Sequence, residues 1–72
     1  MNLDKATKKA MIEKALKEYE KRHFALEIDK KALEAIGNIE QVKITQENMT
    51  AIEKAYQAIE KLLEGEGDNI GY

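Results

Sequence analysis

The sequence predicts a small all-α domain of three helices with a disordered C-terminal tail. Residues that favour helices, above all Ala, Glu, Lys, Leu and Ile, dominate the chain, and it contains no proline. Apolar residues recur with helical spacing over long segments, and 72 residues leave room for only one domain. We therefore expect one helical domain over residues 1–64 and a flexible tail over residues 65–72.

The first helix is predicted to run from residue 3 or 4 to residue 22 or 23. Asn2 and Asp4 are both suitable N-caps, because a short side-chain oxygen accepts a hydrogen bond from a free backbone N–H. One stripe of the helix surface carries six residues suited to a core, and it consists of Met11, Ile12, Ala15, Leu16, Tyr19 and His23. We expect this stripe to face the rest of the domain.

A short second helix is predicted over residues 30–36, between an N-cap at Asp29 and a left-handed Gly37. Ile28 and Leu33 occupy the positions of a hydrophobic staple. Apolar residues alternate in residues 24–28 and again in residues 42–44, which is the period of a half-buried strand. These two stretches either pair as a minimal two-stranded ribbon or belong to irregular linkers that contribute apolar side chains to the core.

The third helix is predicted from residue 46 to residue 63 or 64, with Thr45 as its N-cap and Gly65 as its end. One apolar stripe consists of Met49, Ile52, Tyr56, Ile59 and Leu63, and a second, roughly 110° around the helix, consists of Ala51, Ala55, Ala58 and Leu62. This apolar face is wider than one packing partner needs. The second stripe therefore serves either as an interface with a second chain or as the surface that the first helix covers.

The composition argues against an enzyme and against a metal or cofactor site. The chain has no cysteine and no serine, and its threonines are explained as caps or helix surface, so no set for nucleophilic catalysis is apparent. His23 and Glu27 are one helical turn apart, but two ligands do not make a metal site. No apolar segment is long enough to span a bilayer, and charges from Asp4 onward argue against a signal peptide. We expect a cytoplasmic protein.

Two binding sites other than a protein interface are considered. Nine basic and six acidic residues give residues 1–31 a charge of +3, whereas three basic and eight acidic residues give residues 32–72 a charge of −5. The basic half holds one cluster that suits a small anionic ligand such as a nucleotide, and it consists of Lys17, Tyr19, Lys21, Arg22, His23 and Phe24. Alternatively, Tyr19 and Phe24 pack in the core.

A helix-turn-helix is the other alternative, with residues 30–36 as its first helix and the helix from Gln46 as its second. Gln46 and Asn48 are residue types that read adenine, but Glu47 repels phosphate and the nine-residue link is long for this motif. DNA binding is therefore the less favoured hypothesis. The favoured function is a small non-enzymatic regulator or inhibitor that binds another protein and forms a homo-oligomer through Ala51, Ala55, Ala58 and Leu62.

Overall fold

The computed structural model describes residues 3–68, which form two α-helices joined by a short turn. Helix α1 is Lys5–Ala35 and helix α2 is Ile39–Asp68. Residues 3–68 contain no strand. The predicted all-α class is confirmed, whereas the prediction of three helices with a possible ribbon is wrong.

Helix α1 begins at the predicted N-cap but ends just before Gly37, which was predicted to end the second helix; the predicted end at residue 22 or 23 is wrong. Asp4 is its N-cap, and the Asp4 carboxylate accepts a hydrogen bond from the Thr7 backbone N–H at 2.6 Å. Hydrogen bonds from the Thr7 backbone and side chain lower the pKa of Asp4, because they favour its ionised form. At the other end Gly37 has φ +74°, the left-handed conformation that glycine adopts most readily. Asn2, the alternative N-cap, lies outside the described residues.

Residues 24–29, predicted as a break between two helices, lie inside α1 instead. Asp29 is therefore not an N-cap, and no staple forms between Ile28 and Leu33. The physical reason is that no glycine or proline occurs between Asp4 and Gly37, so the helix continues through this segment. The alternation of apolar residues here reflects helix positions on different faces, since Leu26 is half-buried while Phe24 and Ile28 are exposed.

Helix α2 begins one and a half to two turns earlier than predicted. Asn38 precedes it, and the Asn38 Oδ1 accepts the Gln41 backbone N–H at 3.2 Å as an N-cap does. Thr45, predicted as the cap, is instead buried in the body of the helix, and residues 42–44 are helical rather than extended. The helix continues through Gly65 to Asp68, so residues 65–68 of the predicted tail are helical. Residues 69–72 lie outside the described part of the chain.

The core is a single seam along which the two helices meet. The residues of the seam are spaced alternately three and four apart on each helix, and they are Ile12, Leu16, Tyr19, His23, Leu26, Lys30 and Leu33 of α1 and Val42, Thr45, Met49, Ile52, Tyr56, Ile59 and Leu63 of α2. This heptad spacing is typical of a coiled coil. Within residues 3–64, where side chains are described, Leu16 and Met49 are the buried hydrophobic residues, at 8% and 6% exposed.

Three side-chain hydrogen bonds between the helices fix their direction and register. They join Glu20 to Tyr56, His23 to Glu53 and Lys30 to Gln46. From one bond to the next, the residue number rises on α1 by three and then by seven, and it falls on α2 by the same amounts. The two helices are therefore antiparallel. Within residues 3–68, neither helix contains an apolar segment suited to crossing a membrane.

Candidate functional site

Two side faces flank the seam and differ in chemistry. We call one the groove face, because a groove of about 490 Å³ runs between the helices there. The positions that line its two sides are spaced four and three residues apart on each helix, and they are Glu20, Phe24 and Glu27 of α1 and Glu53, Gln57 and Glu60 of α2. The groove is therefore parallel to both helices.

The groove combines an apolar floor with acidic walls. Its floor includes Tyr19, Ile52 and Tyr56, and Phe24 at its edge is 59% exposed. Four glutamates line it without a single lysine or arginine, so its formal charge is four negative with His23 neutral. Negative charge beside an apolar floor of low dielectric concentrates a negative potential in such a groove.

Two of the four glutamates bond to the opposite helix. The Tyr56 hydroxyl donates to Glu20 Oε2 at 2.8 Å, and His23 Nε2 lies 2.8 Å from Glu53 Oε2. Because an ionised carboxylate only accepts, the His23 Nε2 carries the proton of that bond. The hydrogen bond to Glu20 raises the pKa of Tyr56, and burial and the negative charges of Glu20 and Glu60 add to the shift.

The other two glutamates, Glu27 and Glu60, have no hydrogen-bond or ion-pair partner among the side chains described here. Glu27 is half-buried at the groove and Glu60 is exposed. Both carboxylates are therefore available to a cation that enters the groove.

The residues predicted to bind an anion are not brought together at one site. Tyr19, His23 and Phe24 line the groove, whereas Lys17, Lys21 and Arg22 do not. Lys21 Nζ lies 3.7 Å from a carboxylate oxygen of Glu18, and the Arg22 guanidinium carbon lies 5.2 Å from the centre of the Tyr19 ring. The four glutamates of the groove repel an anion and favour a cation.

We call the opposite side the alanine face. It comprises the residues at the two heptad positions beside the seam and away from the groove, among them Met11, Ala15, Ala25, Ala32 and Ile36 from the first half of the chain and Ile44, Ala51, Ala55, Ala58 and Leu62 of α2. Ala51 and Ala58 are exposed, Ala55 is half-buried and Leu62 is 59% exposed. Helix α1 thus packs on the stripe that contains Met49 and leaves most of the alanine stripe uncovered.

Leu62 marks the open end of the hairpin, away from the turn. Together with Leu3, Met11 and Ile12 it lines a second groove of about 300 Å³, and Lys8 lies at the same place. Leu3, Met11 and Leu62 are each about half exposed or more. The alanine face therefore ends in a cluster of large apolar side chains.

Residues 3–68 contain neither the helix arrangement of a helix-turn-helix nor a cluster of metal-ligating side chains. Residues 30–36 are the end of α1, and α2 begins at Ile39, so the two helices required by a helix-turn-helix do not occur in residues 3–68. Within those residues, no three histidine, aspartate or glutamate side chains lie close enough together to hold a metal ion.

The glutamates of the groove are the feature that the sequence analysis missed. Sequence alone does not bring Glu20, Glu27, Glu53 and Glu60 together, since they come from two helices whose register it does not give. The continuous heptad spacing through residues 12–33 and 42–63 was the signal that could have placed them opposite one another.

Comparison with known proteins gives no match, whether with protein-family models, with curated proteins or with solved structures.

Proposed function

We propose that this protein is a small, non-enzymatic, cytoplasmic interaction module that associates with itself through the alanine face and acts as a regulator or inhibitor by binding another protein. The observation that carries this proposal is the extent of apolar surface left open on one side of the hairpin. Met11, Ile36, Ile44 and Leu62 on that face are each 46% exposed or more.

A second copy suits this surface because a two-helix hairpin has a core on one line only. Helices draw most of their stability from packing against neighbours, and a domain of this size is marginal alone. Two hairpins that face each other form a four-helix bundle, in which each helix gains a second partner. Ala51, Ala55 and Ala58 favour this arrangement, because small side chains let the helix axes approach closely.

The face is large enough for a stable dimer. Helix α1 has 31 residues, which corresponds to a length of about 46 Å, and two adjacent helices are about 20 Å wide. One side of the hairpin therefore offers about 900 Å², compared with roughly 800 Å² per partner in a standard interface.

The charges of the face suit pairing with itself. Glu18, Arg22 and Asp29 lie among its apolar residues, and a twofold dimer places each residue of a face against others of the same face. A face with both signs of charge allows opposite charges to pair across the axis, whereas a face with a single sign of charge would repel its copy.

Sedimentation equilibrium over a range of protein concentrations tests the proposal with a matched pair of variants. Ala58→Glu places a charge on the exposed alanine face, and Ala10→Glu places the same charge on an exposed alanine on the groove side of the seam. We expect the wild type and Ala10→Glu to form dimers and Ala58→Glu to be monomeric with unchanged helix content. A wild type that stays monomeric at the highest soluble concentration, or an Ala58→Glu variant that still dimerises, contradicts the proposal.

A further inference from the structure

We propose that the groove face is the docking site for a basic amphipathic helix of a partner protein, which lays apolar side chains on Phe24, Ile52 and Tyr56 and lysine or arginine side chains against the four glutamates. This inference rests on the proposed function only in that the protein acts by binding another protein. It does not depend on self-association, because the groove and the alanine face lie on opposite sides of the seam.

The shape of the groove favours a helix as its occupant. Its lining residues recur four and three positions apart on both helices. The spaces between these side chains therefore match the spacing of side chains along one face of a third helix that lies between α1 and α2. The stretch from Tyr19 to Glu27 corresponds to about 12 Å along α1, or roughly two helical turns. A helix with apolar residues at three- and four-residue spacing fills this length with two or three side chains.

The charge of the groove specifies the partner's chemistry. Four glutamates and no lysine or arginine line it, so an acidic helix is repelled, while a basic helix is attracted and oriented. Glu20 and Glu53 are already held by Tyr56 and His23, which fixes their carboxylates in place. Glu27 and Glu60, which lack partners among the described side chains, are available to pair with lysine or arginine on opposite sides of the bound helix.

The apolar part of the groove distinguishes a helix from a small cation. Phe24, at the edge of the groove, is 59% exposed. A polyamine would neutralise the glutamates but would leave this side chain in water. An amphipathic helix covers it while its basic residues reach the glutamates, and lysine or arginine over the Phe24 or Tyr56 ring adds a cation–π contact.

Fluorescence anisotropy with a labelled model peptide tests this docking site. The peptide spans two heptads, with leucine at the core positions and lysine elsewhere, and the matched control peptide has glutamate in place of every lysine. We expect the full-length protein to bind the lysine peptide saturably, with affinity that falls as salt is added, and to ignore the glutamate peptide.

Variants of the protein assign the binding to the groove. Phe24→Ala is expected to weaken binding about tenfold, as loss of an aromatic anchor does. The double variant Glu27→Gln with Glu60→Gln is expected to weaken it several-fold and to flatten its salt dependence. Glu47→Gln, which removes an exposed carboxylate from the side of α2 away from both the groove and the alanine face, is the control and leaves the affinity unchanged. Because Phe24, Glu27 and Glu60 lie outside the buried seam, circular dichroism of these variants matches the wild type.

Three results overturn the inference. Groove variants that bind the lysine peptide as tightly as the wild type place its site elsewhere. If spermine displaces the peptide, and if Phe24→Ala weakens spermine binding as much as it weakens peptide binding, the groove is a polyamine site instead. If the wild type is a dimer and the Phe24→Ala variant is a monomer, a second copy occupies the groove. A monomeric wild type that binds the peptide through Phe24 supports the docking site while it rejects the proposed self-association, so the two failures are distinguishable.

Discussion

His23, Lys30, Thr45 and Tyr56 are polar side chains at seam positions that apolar residues usually fill. His23, Lys30 and Tyr56 each bond to a side chain on the opposite helix, at 2.8, 2.7 and 2.8 Å. A polar residue in a coiled-coil seam lowers the stability of the native alignment, but it destabilises any other alignment, in which it has no hydrogen-bond partner, even more. We infer that these three residues select one alignment of the hairpin, because a slip of the helices would separate all three pairs.

The Tyr56–Glu20 hydrogen bond makes stability depend on pH in the alkaline range. The raised pKa of Tyr56 means that the folded state holds the phenol proton more tightly than the unfolded chain, whose value is near 10.0. The contribution of this bond is therefore complete below pH 10.0 and is lost as the pH rises through the folded-state pKa. We expect urea unfolding of Tyr56→Phe to show a weaker loss of stability above that pH than the wild type shows. If the free energy of unfolding falls equally steeply with pH for the two proteins, the Tyr56–Glu20 hydrogen bond does not persist in solution.

The two helices differ in how far their packing follows from sequence. The stripe containing Met49 was identified correctly, because the apolar residues of α2 concentrate on one side. Those of α1 are spread around the helix, with Phe24 and Ile28 exposed and Leu26 in the seam, so their spacing resembled a strand. The groove was not predictable, because its two walls come from segments about thirty residues apart whose register depends on side-chain pairs across the seam.

The turn between the helices depends on one residue. Gly37 is the first glycine of the chain, and the next is Gly65, so the backbone has one strong helix breaker in this long helical stretch. Gly37 ends a helix as predicted, but Asp29 and Thr45, predicted as N-caps, lie inside α1 and α2, because these residue types also occur inside helices. In this chain the absence of glycine and proline outweighed the presence of capping residues.

Substitution of Gly37 is expected to destabilise the hairpin through the backbone alone. No atom beyond the two neighbouring residues lies within 4 Å of a Cβ built at this position, so alanine meets no steric clash with the rest of the hairpin, but φ +74° is unfavourable for a residue with a Cβ. We expect Gly37→Ala to lower the free energy of unfolding by about 1–2 kcal/mol, and Gly37→Asn by less, since asparagine tolerates this conformation better. Chemical denaturation of both variants measures the difference. Equal losses for alanine and asparagine would indicate that something other than the backbone conformation is responsible.

At the scale of the whole molecule, residues 3–64 form one buried seam flanked by two open faces that differ in chemistry. The alanine face is apolar and carries both signs of charge, which suits association with a copy of itself. The groove face carries aromatic rings and four glutamates, which suits a basic partner. Because the seam separates these faces, a dimer formed through the alanine face leaves two grooves on the outside of the resulting bundle. One assembly could then hold two partner helices at once and bind a partner with repeated sites more tightly than one hairpin does.

The division between seam and face predicts that two similar substitutions act on different equilibria. Met49 is 6% exposed in the seam and Leu62 is 59% exposed on the alanine face. We expect Met49→Ala to lower stability by about 2–5 kcal/mol at any protein concentration, because it opens a cavity between the helices. Leu62→Ala is expected to have little effect on the stability of a dilute sample. It is expected to reduce the increase in stability that the wild type shows as the protein concentration rises.

Thermal unfolding at a low and a high protein concentration separates the two effects. For the wild type, Tm is expected to rise with concentration, because mass action favours a folded dimer over unfolded chains. Met49→Ala shifts both melting curves down and keeps their separation, if it remains folded at all, whereas Leu62→Ala brings the curves together. A dilute Leu62→Ala sample that loses as much stability as Met49→Ala would place Leu62 in the core of the single hairpin, and the alanine face would then have to be defined without it.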